Sequence, residues 1–150
     1  MLNVSKTTLM RSCDKNMTEK IGIPDAVLME NAANAVAQSI KKHTAGCKNG
    51  IRVFILIGPG NNGGDGLALL RILTAEGYNA EGILLFEPIQ NKKDEQSAAL
   101  PRSSAELNYQ IAINLGLSLS NDINRLNTCR ESDIICLLYT SPSPRDRSLS

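Results

Sequence analysis

The stretch "VFILIGPGNNGGDGLALLRIL", residues 53–73, decides the architecture of this chain. Its first five residues are unbroken apolar sequence, and the full run 51–57 reads as a strand buried on both faces, as in a parallel sheet. Five glycines then fall within the nine residues 58–66. Glycine loses more conformational freedom on folding than any other residue, so such density implies a backbone that turns sharply or is closely approached. From Leu67 the pattern turns helical, with Leu67, Leu70 and Leu73 on one face and Gly77 as a stop. "AEGILLF", residues 80–86, reads as a second strand. Strand, helix and strand in that order make a βαβ unit, whose crossover is expected to be right-handed.

Upstream, residues 5–20 are polar and weakly periodic and read as a first helix, stopped at Ile23 by Pro24. Asp25 is then expected to cap a helix, "DAVLMENAANAVAQSIKK". Val27, Leu28, Ala32, Ala35, Val36 and Ile40 recur at spacings of three and four and predict its buried stripe. Lys41, Lys42 and His43 suit its last turn, and Gly46 its end. Downstream, residues 87–103 turn polar and read as a surface loop. "SAELNYQIAINLG" predicts a helix that buries Leu107, Ile111 and Leu115 and ends at Gly116. "ESDIICLLY" reads as the start of a third strand. The last fourteen residues, 137–150, alternate Ser, Pro and Arg without apolar periodicity, and no packed core is expected of them.

Composition narrows the function. A formal net charge of +1 provides no field to draw nucleic acid or an acidic membrane, and 3% aromatic content leaves few stacking platforms for bases. No segment approaches the ~18 apolar residues of a membrane span, and no signal-peptide core interrupts the polar N-terminus. A cytoplasmic location is therefore the expectation. Cys13, Cys47, Cys129 and Cys136 form no CxxC pair and are expected to be reduced. The lone His43 argues against zinc.

A strand feeding a glycine-rich turn at a helix N-terminus is a geometry that holds anions, because the first N–H groups lack partners. Gly58, Gly60 and Gly63 match G-x-G-x-x-G, and Glu87 stands where a ribose-binding acid would follow the second strand. A tight turn without ligand satisfies the glycines equally well. No Lys-Ser/Thr pair follows, which excludes a P-loop. "NNGGD" adds two amides and a carboxylate that pyrophosphate binding does not need. An Asn oxygen is a hard neutral ligand for a cation. Asp65 is either a helix cap or an acceptor for ligand hydroxyl and amide groups, and it would repel phosphate placed directly against it. Glu30 and Asn31 are either solvated or line the same cleft.

"GIPDAVLMENAANAVA" followed by "VFILIGPGNNGGDGLALLRIL" resembles the YjeF N-terminal domain family, the NAD(P)H-hydrate epimerases, over about residues 8–136. The resemblance implies an α/β class: a Rossmann-like, three-layer α/β/α fold with a mainly parallel sheet, here truncated after about its third strand. It implies interconversion of the R and S epimers of NADHX and NADPHX, pyridine nucleotides carrying water on the nicotinamide ring. Carried over residue by residue, Asn61, Asn62, Gly63, Gly64 and Asp65 would contact the hydrated nucleotide. Asn62 would also ligate a potassium ion, and a homodimer is implied.

In the family, the strand matching "DIIC" leads to an aspartate and a second glycine-rich loop, with a further aspartate and a potassium-binding serine beyond. None follows Cys136 here. The expectation is thus a partial domain over residues 1–136 and a foreign tail over 137–150, with the catalytic aspartate outside the sequence and no turnover by the chain as written. The alternatives are a non-catalytic binding or dimerisation scaffold of the same type, and half of an ordinary Rossmann dehydrogenase.

Overall fold

The apolar run becomes β1 (Arg52–Ile57), the second strand from one edge of a sheet whose pairings are all parallel. The computed structural model describes residues 7–44, 49–86 and 103–138. β1 pairs on one side with β2 (Asn79–Leu84) and on the other with β4 (Ile134–Leu138); the two-residue β3 (Leu119–Ser120) lies beyond β2. Burial on both of its faces is why β1 reads as continuous apolar sequence. Val53, Phe54, Ile55 and Ile57 are all buried.

Among the described residues four α-helices accompany the sheet: α1 (Thr7–Asn16), α2 (Asp25–His43), α3 (Asn61–Ala75) and α4 (Ser104–Asn114). α1 runs into a π-helical turn, Met17–Ile21, which ends at Gly22 with φ +83°. α3 packs against β1, β2 and β4, and is flanked by α2 and α4. Val53, Ile55 and Ile57 share one core with Ala33, Ala37 and Ile40 of α2, with Leu67 to Leu70, Ile72 and Leu73 of α3, and with Ala112 of α4. Side chains alternate across a strand, so Phe54 and Leu56 point to the opposite face. There they lie in register with Ile135 and Leu137, which are 52% and 58% exposed.

The α/β class, the parallel sheet and the βαβ unit agree with the sequence reading, and several details differ. The strand at "DIIC" is the fourth in chain order, because Leu119–Ser120 makes a third that is too short to leave a periodic signal. It extends through Leu138, two residues into the segment read as tail. On α2 the buried residues are Met29, Ala33, Ala37 and Ile40, whereas Val27, Ala32 and Ala35 are exposed. Close approach of α3 puts the small Ala33 and Ala37 at the middle of the buried stripe, with Met29 and Ile40 at its two ends, and leaves Val36 and Leu28 half-buried beside it. On α4 the buried residues are Asn108 and Ala112, while Leu107 and Leu115 are 38% and 59% exposed. Gly46, the loop over 87–102 and residues 139–150 lie outside the described residues.

A charged clasp joins the starts of β1 and β4. Asp133 accepts from the backbone N–H of Arg52 at 3.1 Å, from Arg52 Nε at 3.0 Å and from the backbone N–H of Arg130 at 2.9 Å. Hydrogen bonds from Arg130 and Arg52 hold its carboxyl far below the usual carboxylate range.

The position of the buried stripe on α2 can be tested directly. Ala37→Leu should lower stability by about 1–3 kcal/mol through overpacking against α3, and Val27→Ser should change it by less than about 0.5 kcal/mol. Urea unfolding measures both, and the opposite ranking would return the buried face to Val27.

Candidate functional site

The turn between β1 and α3 is only three residues long. Gly58, Pro59 and Gly60 carry the chain out of the strand, and the helix begins at Asn61. Gly60 occupies the N-cap with φ +83° and ψ −161°, a conformation that L side chains rarely adopt. "NNGGD" is therefore not a loop but the opening turn of α3. Asp65 is the fifth helical residue, so it is not the cap.

The glycines of that turn face protein. A Cβ on Gly63 would fall on the carbonyl oxygen of Gly58. One on Gly64 would lie 2.5 Å from Met29 Sδ and 2.9 Å from Ala105 Cα. Gly63 and Gly64 are buried, so the turn's own backbone at Gly58 and the helices α2 and α4 supply the close approach that the glycine density implied. Around Gly58 a Cβ would meet only open space.

What the turn presents outward is polar. Asn61 is exposed, and Asn62 and Asp65 are half-buried. Among the described residues, none of these three side chains has a hydrogen-bond or ion-pair partner. Helix geometry leaves the N–H groups of Asn61, Asn62 and Gly63 without an intrahelical acceptor, and the first such bond runs from Gly64 N to Gly60 O at 3.1 Å. Burial pushes the Asp65 carboxyl up to about 6, and the charges of Asp25 and Asp14 add to the shift. Asp25, expected as a side-chain cap, is instead the first residue of α2; Pro24 is its N-cap, and there is no side-chain cap hydrogen bond. α4 begins nearby with a capped turn, the Ser103 hydroxyl accepting from Glu106 N at 3.1 Å.

The structure thus brings together Asn61, Asn62, Gly63, Gly64 and Asp65, with Gly63 and Gly64 serving the packing. Glu30 stays partly solvated and pairs with Arg71 of α3 rather than standing free for the cleft. Asn31 is exposed, as is His43 at the end of α2. Glu87 lies outside the described residues. Met29, Ala105 and Asn108, which back the turn, carry no motif. Only the three-dimensional contact between α2, α3 and α4 reveals them.

A parallel sheet with an amide-rich helix N-terminus at the end of a central strand defines a Rossmann-like α/β domain. The chain belongs to the family described as YjeF-related protein N-terminus, whose model matches residues 25–135. It is 43% identical over 90 residues to the NAD(P)H-hydrate epimerase of Limosilactobacillus fermentum, covering 60% of this chain and 42% of that protein. Over 126 residues it is 32% identical to the NAD(P)H-hydrate epimerase of Weissella koreensis, covering 84% of this chain and 50% of the relative. The bifunctional NAD(P)H-hydrate repair enzyme Nnr of Moorella thermoacetica is 38% identical over 88 residues, 59% of this chain and 17% of that protein. The chain therefore spans half or less of the length of these curated relatives. The crystal structure of yeast ynu0, YNL200c, superposes with a TM-score of 0.68 at 24% identity, over 95% of this chain and 60% of the other, a likeness of fold.

Two outcomes test this geometry. Gly63→Ala should destabilise the protein by about 1–3 kcal/mol or more, because backbone blocks the added methyl group; calorimetry would show it. The second concerns Asp65, whose folded-state pKa lies above its ordinary value of 3.8. Protonation is therefore favoured in the native state, and the cost of ionising Asp65 grows between about pH 4 and pH 6 and is complete above that. Asp65→Asn should raise the thermal midpoint at pH 7.5 and leave it nearly unchanged at pH 3.5. An equal shift at both values would contradict the buried-carboxyl picture.

Proposed function

We propose that this chain carries the nucleotide-facing turn of an NAD(P)H-hydrate epimerase, acting on NADHX and NADPHX. The observation that carries this reading is the outward display of Asn61, Asn62 and Asp65, none of them hydrogen-bonded or ion-paired among the described residues, on the first turn of α3. Family membership and the names of the relatives support it. A pyridine nucleotide with a hydrated ring offers hydroxyl, carboxamide and ribose groups, which match amide donors and acceptors beside a carboxylate. The free N–H groups of Asn61, Asn62 and Gly63 would donate to its oxygen atoms. A role in repairing pyridine nucleotides is consistent with a cytoplasmic location. No described helix is long and apolar enough to cross a membrane.

Asp65 would assist proton transfer at this turn, alongside the catalytic aspartate that the family resemblance implies. A carboxyl that titrates near 6 exists in both forms around neutral pH, the condition for efficient general acid–base transfer. In the protonated form it would give its proton to the ring hydroxyl as that C–O bond breaks and water leaves, the positive charge resting on the ring nitrogen. Water then adds to the opposite face and releases a proton, which restores an uncharged ring of inverted configuration.

The donor chemistry at Asn62 fits a potassium ion. Its amide is half-buried, has no hydrogen-bond partner among the described residues, and offers a hard neutral oxygen, with the Asp65 carboxylate one turn further on. Asn62 would hold the ion, and the bound charge would steady ligand oxygen atoms against the turn.

The test is a titration of the chain with NADPHX, with and without potassium, followed by 1H–15N chemical shifts. Shifts centred on residues 58–65, enlarged by potassium, are expected. Affinity should fall as pH drops through about 6, because Asp65 loses its acceptor form, and Asp65→Asn should flatten that dependence. Shifts confined to other parts of the chain, or none, would refute the reading.

A further inference from the structure

Asn108 is one of two buried polar residues among the described ones, only 7% exposed in the interface between α4, α2 and α3. Its Nδ2 lies 3.1 Å from Met29 Sδ and donates also to the Ser104 carbonyl at 3.2 Å. Met29, itself 3% exposed, sets its sulfur and methyl group against Gly64, 2.5 Å and 2.8 Å from where a Cβ would stand. Ala105 of α4 closes the same spot at 2.9 Å.

This arrangement is a poor choice for stability alone. A thioether is a weak acceptor, and burying an amide costs free energy that a leucine of similar volume would not incur. What the amide adds is geometric definition. Methionine has three rotatable side-chain bonds and adapts to irregular gaps, so an unanchored Met29 would leave the Gly64 contact loose. A buried polar contact can instead select a single packing arrangement.

We infer that Asn108 is a positioning residue. By fixing the sulfur of Met29 against Gly64, it sets where the first turn of α3 sits and hence where Asn61, Asn62 and Asp65 meet a ligand. The inference rests on the proposed nucleotide site and brings α2 and α4 into its support.

The experiment uses the full chain with Asn108→Leu, Met29→Leu and both together, reading thermal midpoint, 1H–15N spectra and NADPHX affinity. Asn108→Leu should keep or raise the midpoint, yet weaken NADPHX binding by about tenfold, an effect that a small misplacement of contacting groups readily produces. The Gly64 amide and Asn62 side-chain resonances should broaden or double. Met29→Leu should act in the same direction, and the double variant should lose less than the sum of the two, as for residues working as one unit. Affinity within about twofold of the unaltered chain, additive losses, or losses that merely follow a falling midpoint would each overturn the inference. Failure of the unaltered chain to bind NADPHX would remove the functional reading and this inference together, and is distinguishable because it is seen before any substitution.

Discussion

The carbonyl of Gly58 occupies the space that any side chain at position 63 would need, and much of the molecule follows from that contact. It lets α3 start within three residues of β1 and lie along the sheet with nearly every face covered. Leu67, Leu69, Leu70 and Leu73 are almost fully buried because the helix is wedged between strands on one side and α2 and α4 on the others. The same wedge brings the helix N-terminus to the C-terminal end of β1, where open α/β sheets hold their ligands. Core packing and site construction are here one requirement, met by the same glycines.

That economy changes what the glycines mean. A glycine-rich turn invites the view that bare backbone receives a ligand, but here Gly63 and Gly64 are bare to receive protein. Ligand chemistry falls instead to the side chains between and after them, and to the N–H groups that a helix start leaves unpaired. Asp65 shows the cost of this placement. Partly buried beside Asp25 and Asp14, it favours its neutral form more than a surface carboxyl does, and so becomes able to exchange protons near neutral pH.

The other end of the sheet is organised by charge rather than by close packing. Asp133, between Arg52 and Arg130, ties the first residues of β1 and β4 together, and the Arg52 guanidinium also lies 5.1 Å from the centre of the Phe54 ring. β4 thereby keeps its register with β1 while Ile135 and Leu137 remain half exposed on the face away from α3. Pairing in the sheet and burial on its two faces are separate matters in this chain.

How much of this was legible in advance depended on the range of the signal. The buried strand at 51–57, the helix after it and the stop at Gly77 follow from local pattern and backbone chemistry, and "NNGGD" marked the candidate turn by composition. Of the buried face of α2 only Ile40 was legible, and that of α4 was not. Hydrophobic periodicity points to Val27 and Leu107, but closeness of approach, not hydrophobicity, chose Ala33, Ala37, Asn108 and Ala112. The sequence by itself determined an α/β chain with an amide-rich helix start, because strands, helices and turns answer to neighbours a few residues away. Only the tertiary structure decided that Gly64 faces protein, which carboxyl is driven to titrate near 6, and that α4 backs the site, because those depend on groups far apart along the chain: Gly64 lies against Met29 and Ala105, and burial and the charges of Asp25 and Asp14 act on Asp65.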